Sequence, residues 1–205
     1  MLSGIAYTGR ICKWHHVELL AAGFSSLLFV DPKVHDDEHF LGHPAQRSFS
    51  GALPQGWSCL PAAGNNQLRR MQIAAIKTAG WELATLIAPT ATIGAGATIA
   101  AGCFVAHHAH VGPAASIGVG TIINTAGVIE HECSIGDYVH VSVNSTVAGR
   151  SRLGDSVFLG TGATVIDNIT VGANITIGAG GVVVKSINEP GTYIGAPARM
   201  IKAFT

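Results

Sequence analysis

Charge is scarce in this chain of 205 residues. Only 12% are Asp, Glu, Lys or Arg, and twelve basic residues balance twelve acidic ones. A chain so balanced has no bulk basic field, which excludes nucleic-acid binding through general phosphate attraction. Long apolar runs are missing too. None reaches the ~18 residues of a membrane-spanning helix, although 48% of residues are hydrophobic. That combination predicts extensive burial, subunit interfaces included. Residues 1–5 carry no basic segment leading into an apolar one, so no signal peptide is expected. Cysteines are four, Cys12, Cys59, Cys103 and Cys133, with no CxxC spacing. They read as reduced thiols of a cytoplasmic protein.

Glycine is abundant instead, and 18 of the 26 lie after position 86. The chain therefore divides into two differently built parts, 1–86 and 87–205. From Ile87 to Val183 an aliphatic residue falls at every sixth position, seventeen times in succession, as at Ile93, Ile99, Val105 and Val111. A helix needs a period near 3.6, and hairpins break register at their turns. A sustained six-residue period means a β-solenoid. The residue after each aliphatic is usually small, as at Gly94, Gly112 and Gly154, which is expected to let the backbone turn sharply at a corner. The position four after each aliphatic is small or β-branched, as at Cys103, Ala109 and Val157, and fits a narrow interior.

The first part lacks this period. Residues 2–6, 26–30, 57–62 and 81–86 read as strands. Residues 13–22 and 66–79 read as helices, and 35–54 as a polar loop. Asn65 or Asn66 is the expected N-cap of the second helix. The order fits a small parallel α/β unit, with ligand sites beyond the strand C-termini. Candidates there are Gly9, Asp31, Gly64 and Asn65.

Polar residues enter the solenoid at Asn124, Glu130-His131-Glu132 and His140. A histidine between carboxylates suits a general base. A carboxylate accepting from one ring nitrogen fixes the tautomer and raises the basicity of the other. The residues alone leave open which glutamate does this. Cys133 sits at an inward position, which argues against a thiol nucleophile. His107, His108 and His110 form a cluster better suited to a cleft or a threefold interface than to a metal. His35, Asp36, Asp37, Glu38 and His39 read as a solvated loop, so no metal is expected.

The six-residue repeat resembles that of the left-handed parallel β-helix of hexapeptide-repeat acyltransferases. In that family three hexapeptides make one triangular coil, so residues 18 apart stack. The stretch 123–136 (INTAGVIEHECSIG) resembles the catalytic segment of bacillosamine-type UDP-amino-sugar N-acetyltransferases and of sialic acid O-acetyltransferases. Gly64-Asn65-Asn66, opening a helix, resembles the N-terminal Rossmann-like domain of such enzymes. The Gly-rich turn and acidic pair of that domain are reduced here to Gly9 and Asp31. The resemblance implies a small α/β sugar-nucleotide-binding domain at 1–86 and a β-helix acetyltransferase domain with a C-terminal tail at 87–205. It implies acetyl-CoA as co-substrate, a homotrimer, and a part in surface-polysaccharide synthesis. His131 would be the base and Glu132 its partner. Asn124 and Glu130 would stand near the sugar. His140, Gly149, Thr161 and Ala179 would line the acetyl-CoA groove, with Lys185 or Arg199 near its phosphates. The expected acceptor is the amino group of a UDP-linked 4-amino-4,6-dideoxy sugar. The alternatives are O-acetylation of a sialic-acid-like sugar and a non-catalytic sugar-nucleotide-binding or scaffold trimer.

Overall fold

The computed structural model describes residues 2–7, 23–35, 37–40 and 42–204. The expected helix at 13–22, with Gly9 and Cys12, lies outside them. Among the described residues no helix is long and apolar enough to cross a membrane.

The solenoid has three faces of stacked two-residue strands. The first carries Leu86–Ile87, Phe104–Val105, Ile122–Ile123, His140–Val141, Phe158–Leu159 and Ile175–Ile177. The second carries Thr92–Ile93 through Val182–Val183, and the third Thr98–Ile99 through Thr170–Val171. All these strands pair in parallel. Their partners are 18 residues apart, as in Ile123↔Val141, Ile129↔Val147 and Ile135↔Leu153. The aliphatic residue of the six-residue series, the last of each strand, points inward. Ile129, Val141, Val147, Leu159 and Val165 are completely buried, and each such side chain contributes about 1.5–3 kcal/mol of burial. After Val183 the coil shortens: Val171 pairs with Ile187, 16 residues on. The chain then closes the first face with Gly191–Ile194 and the antiparallel strand Arg199–Ala203.

The corners differ from the expectation in an instructive way. The residue with positive φ is not the small one after the aliphatic but the one two positions later. Left-handed backbone recurs at every sixth position, through Gly96, Gly102, His108, Ala114, Gly120, Ala126, Glu132 and onward. At most corners an inter-coil hydrogen bond holds it, as where Ala126 N–H donates to His107 O (3.0 Å) and Glu132 N–H to Pro113 O (2.9 Å). Those bonds offset the roughly 1–2 kcal/mol that the conformation costs a non-glycine residue. The glycines after the aliphatics have another cause. A Cβ at Gly112 would lie 2.6 Å from His131 N, and one at Gly154 2.6 Å from Ala173 N. Close stacking of the next coil, not backbone freedom, demands them.

Before the solenoid stands a sheet of β1 (Leu2–Tyr7), β2 (Phe24–Val30), β3 (His39–Phe40), β4 (His43–Gln46) and β5 (Trp57–Pro61). Its order is β3-β4-β2-β1-β5, parallel except for β3. The segment read as a polar loop thus contributes two short strands. They are formed mainly by backbone pairing, and only Ala45 on β4 is buried. Residues 81–86 form no separate strand: Leu83 makes a single bridge to Cys59, and Leu86 opens the first face. The helix α1 (Asn66–Thr78) has Asn65 as its N-cap, whose side chain accepts from Leu68 N–H. Leu27, Phe29 and Leu60 of the sheet share one core with Phe104, Ala106 and Ile122 of the solenoid. The sheet is thereby fixed on the first face.

Replacing Gly154 by Ala is expected to cost about 1–3 kcal/mol by overpacking, read as a lower midpoint in urea denaturation. An unchanged midpoint would contradict the stacking argument.

Candidate active site

His131 and Glu132 occupy the corner between the second and third faces. His131 Nδ1 lies 3.0 Å from Glu132 Oε2, and the side chains are 43% and 59% exposed. A carboxylate only accepts, so neutral His131 carries its proton on Nδ1, and Nε2 is left as a base. That nitrogen lies over Gly149, one coil on: a Cβ there would be 2.5 Å from it. Gly149 N–H meets no protein acceptor among the described residues. Base and free donor therefore share one spot. Glu130, half-buried beside them, points at no partner in hydrogen-bond reach among the described residues. Cys133 is buried, with Sγ 3.2 Å from Ala148 O, and burial pushes its pKa up. Burial there disfavours the thiolate that a nucleophile requires.

His140 lies nine residues from His131, half a coil away, on the first face. It is buried and stacks edge-on against Phe158 (centroids 5.1 Å). Its Nδ1 donates to Gly64 O at 2.9 Å, and its Nε2 stands 3.5 Å from Asn124 Nδ2. Burial, with the charge of Arg69 adding to it, lowers its pKa to about 4. It is neutral at physiological pH, and the bond to Gly64 places its proton on Nδ1. The sequence signal that missed this contact spans 76 residues.

The remaining predicted residues fall at several places. Gly64, Asn65, Asn124 and His140 gather where α1 starts against the first face. Thr161 and Ala179, 18 apart and exposed, lie on the adjoining corner between first and second faces. Glu130, His131, Glu132 and Gly149 share the next corner. Asp31, buried at the end of β2, accepts from Lys33 N–H at 2.9 Å. Lys185 is exposed, and Arg199 donates to the neighbouring Ala198 O. His107 and His110 rest on threonines of the preceding coil, Thr90 Oγ1 at 2.6 Å and Thr92 Oγ1 at 2.7 Å. Among the described residues no group of three ligating side chains is arranged to hold a metal.

Arg69 is the residue that sequence reading missed. Its side chain is wholly buried without a carboxylate partner among the described residues. It donates to Gly120 O, Ala63 O, Gly64 O, Asn66 Oδ1, Tyr138 O and Val139 O at 2.5–3.2 Å. Burial lowers its pKa to about 10, so it stays charged.

No protein-family model and no curated protein sequence matches the chain. Solved structures do. The acetyltransferase domain of PglB from Neisseria gonorrhoeae FA1090, in complex with acetyl coenzyme A, is 30% identical over 98% of this chain and 100% of that one, with TM-score 0.87. PerB from Caulobacter crescentus, in complex with CoA and GDP-perosamine, is 30% identical over 98% and 97%, with TM-score 0.85. WeeI from Acinetobacter baumannii AYE shares the fold at 18% identity over 98% and 100%, with TM-score 0.71. The chain belongs to the hexapeptide-repeat, left-handed β-helix family of sugar acetyltransferases.

His140 yields a pH test. Its folded pKa of about 4 lies below the ordinary 6.5, so between those values the unfolded chain binds the extra proton. Stability therefore falls as pH drops through that window. His140→Gln is expected to remove this part of the slope in urea titrations run across it. Equal slopes in both proteins would contradict the assignment.

Proposed function

We propose that this chain transfers the acetyl group of acetyl-CoA to the amino group of a nucleotide-linked amino sugar, with His131 as general base. The observation that carries the reading is the His131–Glu132 pair over Gly149. It supplies a bare ring nitrogen and an unpartnered backbone N–H at one corner. The likeness to the PglB domain with acetyl coenzyme A and to PerB with CoA and GDP-perosamine supports both substrates. Acetyl-CoA is a co-substrate, and the absent Cβ at Gly149 leaves the thioester its approach.

In this mechanism His131 Nε2 takes a proton from the amine as its nitrogen bonds to the thioester carbonyl carbon. Glu132 stabilises the imidazolium that results. Gly149 N–H meets the oxyanion. The C–S bond then breaks and His131 returns its proton to the departing thiolate. Base catalysis of this kind supplies typically 10²–10⁴-fold, and alignment of two bound substrates supplies much of the rest.

Residues 1–86 would serve as a Rossmann-like unit for the nucleotide sugar, through Gly9, Asp31, Gly64 and Asn65, and 87–205 as the acetyltransferase unit with its tail. Asn65 caps α1 with its side chain, so its backbone is what remains for a ligand. Asn124 and Glu130 would approach the sugar. His140, Thr161 and Ala179 would line the acetyl-CoA groove. These residues lie up to half a coil from the His131 corner. A homotrimer, in which the His131 corner of one subunit faces the first-face corner of the next, joins them into one site. Such an enzyme acts in the cytoplasm, where acetyl-CoA and nucleotide sugars are made.

The reading is tested by thiol release from acetyl-CoA against UDP- and GDP-linked 4-amino sugars and free sialic acids. Turnover of a nucleotide amino sugar is expected, with a 4-amino-4,6-dideoxy sugar linked to UDP as first choice. His131→Ala is expected to lower kcat by about 10²–10⁴-fold while keeping acetyl-CoA binding. Turnover of sialic acid alone would make it an O-acetyltransferase. Absence of acetyl-CoA binding would leave a scaffold.

A further inference from the structure

We propose that Arg69 is a positioning residue. Its guanidinium locks the Ala63–Gly64 turn onto the strand of His140, so that Gly64 O fixes that imidazole with its proton on Nδ1 and an unprotonated Nε2 beside the Asn124 amide. The ligand part of this inference rests on the reading of His140 as an acetyl-CoA contact.

The geometry carries it. Gly64 O accepts from both Arg69 Nη1 (3.1 Å) and His140 Nδ1 (2.9 Å), using the two lone pairs of one carbonyl. Arg69 Nη2 reaches Tyr138 O and Val139 O, the two residues before His140. Arg69 Nε reaches Gly120 O, 18 residues before Tyr138 and so one coil away. One rigid fork thus holds the turn, the strand of His140 and the coil beneath it. Ammonium on a flexible stem, with three donors, cannot reproduce five donors in a plane.

The same placement keeps the imidazole neutral. Around His140 stand the Gly64 carbonyl, the Asn124 amide, the Phe158 ring and the Arg69 guanidinium, and only Arg69 is charged. A second positive charge beside it is disfavoured. Neutral, Nδ1-protonated His140 offers Nε2 as an acceptor, approached at 3.5 Å by the Asn124 amide N–H, whose place a ligand N–H would take. The pantetheine arm of acetyl-CoA carries two amide N–H groups, which are the ligand donors such an acceptor suits.

The experiment is nitrogen-detected NMR of the histidine-labelled full chain, paired with acetylation kinetics. In the unaltered protein, His140 is expected to show a protonated Nδ1 and a bare Nε2, unchanged from about pH 8 down to about 5.5. In Arg69→Lys, that pattern is expected to give way to mixed tautomers. The KM for acetyl-CoA should rise roughly tenfold with kcat within about twofold. A merely structural arginine would lower the melting temperature and leave the ring pattern as it was. Asn66→Ala, which removes one acceptor of the fork together with the Asn66 Nδ2 bonds to Ser156 O and Val157 O but leaves the arginine in place, is the second variant should the lysine form not fold. It is expected to move the pattern the same way by less. A proton on Nε2 in the unaltered protein would overturn the proposal, as would an unchanged His140 pattern in a folded Arg69→Lys. His140→Ala separates the two readings. If it leaves the KM for acetyl-CoA unchanged, the cofactor contact fails, while the ring pattern still decides the role of Arg69.

Discussion

Every feature of this protein depends on one constraint, the hydrogen-bonded closure of the coil after eighteen residues. Each coil donates its strand N–H groups to carbonyls of the next, as Ala106 N–H does to Ile123 O, so the register of one face fixes that of the other two. The closure dictates that side chains alternate between a filled interior and the outside. It presses many of the residues after the aliphatics against the neighbouring peptide, and at Gly94, Gly112, Gly136 and Gly154 leaves no room for a Cβ. It also brings His131 over Gly149, because those positions are eighteen apart. The pair proposed to react is a consequence of the stacking rather than an addition to it.

The two histidines show how the same scaffold makes opposite environments. His131 stands on a corner, partly exposed to water, with a carboxylate against one nitrogen. His140 stands on a face that the sheet and α1 cover, with a carbonyl against one nitrogen and a guanidinium nearby. The first environment accommodates the imidazolium that a proton transfer creates. The second resists it. An imidazole that stays neutral suits recognition, and one beside a glutamate suits base catalysis.

The period of six made the solenoid legible, because seventeen unbroken aliphatic positions have no other periodic explanation. The inward setting of Cys133 followed from the same count, whereas the stacking of residues 18 apart, which brings His131 to Gly149, was implied only by the family resemblance. The corner conformation was not legible. Its left-handed residues include Glu132, Tyr138 and Arg150, whose types carry no signal for positive φ. Inter-coil hydrogen bonds impose that conformation, and they exist only once the coil is closed. Arg69 was hidden for a related reason: next to Arg70 on a helix it looks like part of a solvated face. Its six acceptors come from three separate segments of the chain. The strands His39–Phe40 and His43–Gln46 escaped notice because backbone pairing, rather than apolar patterning, defines them.

The central claim is that one reacting site needs two different corners, supplied by neighbouring subunits. Mixed assembly tests it most directly. His131→Ala and His140→Ala chains, each deficient alone, would be co-expressed with different tags, and the doubly tagged assemblies isolated and assayed. If the two residues act from different chains, mixed assemblies contain some sites with both intact and recover a measurable fraction of the activity. If acetyl transfer stays at the level of the single variants, both residues serve within one chain, and the two-corner account is wrong.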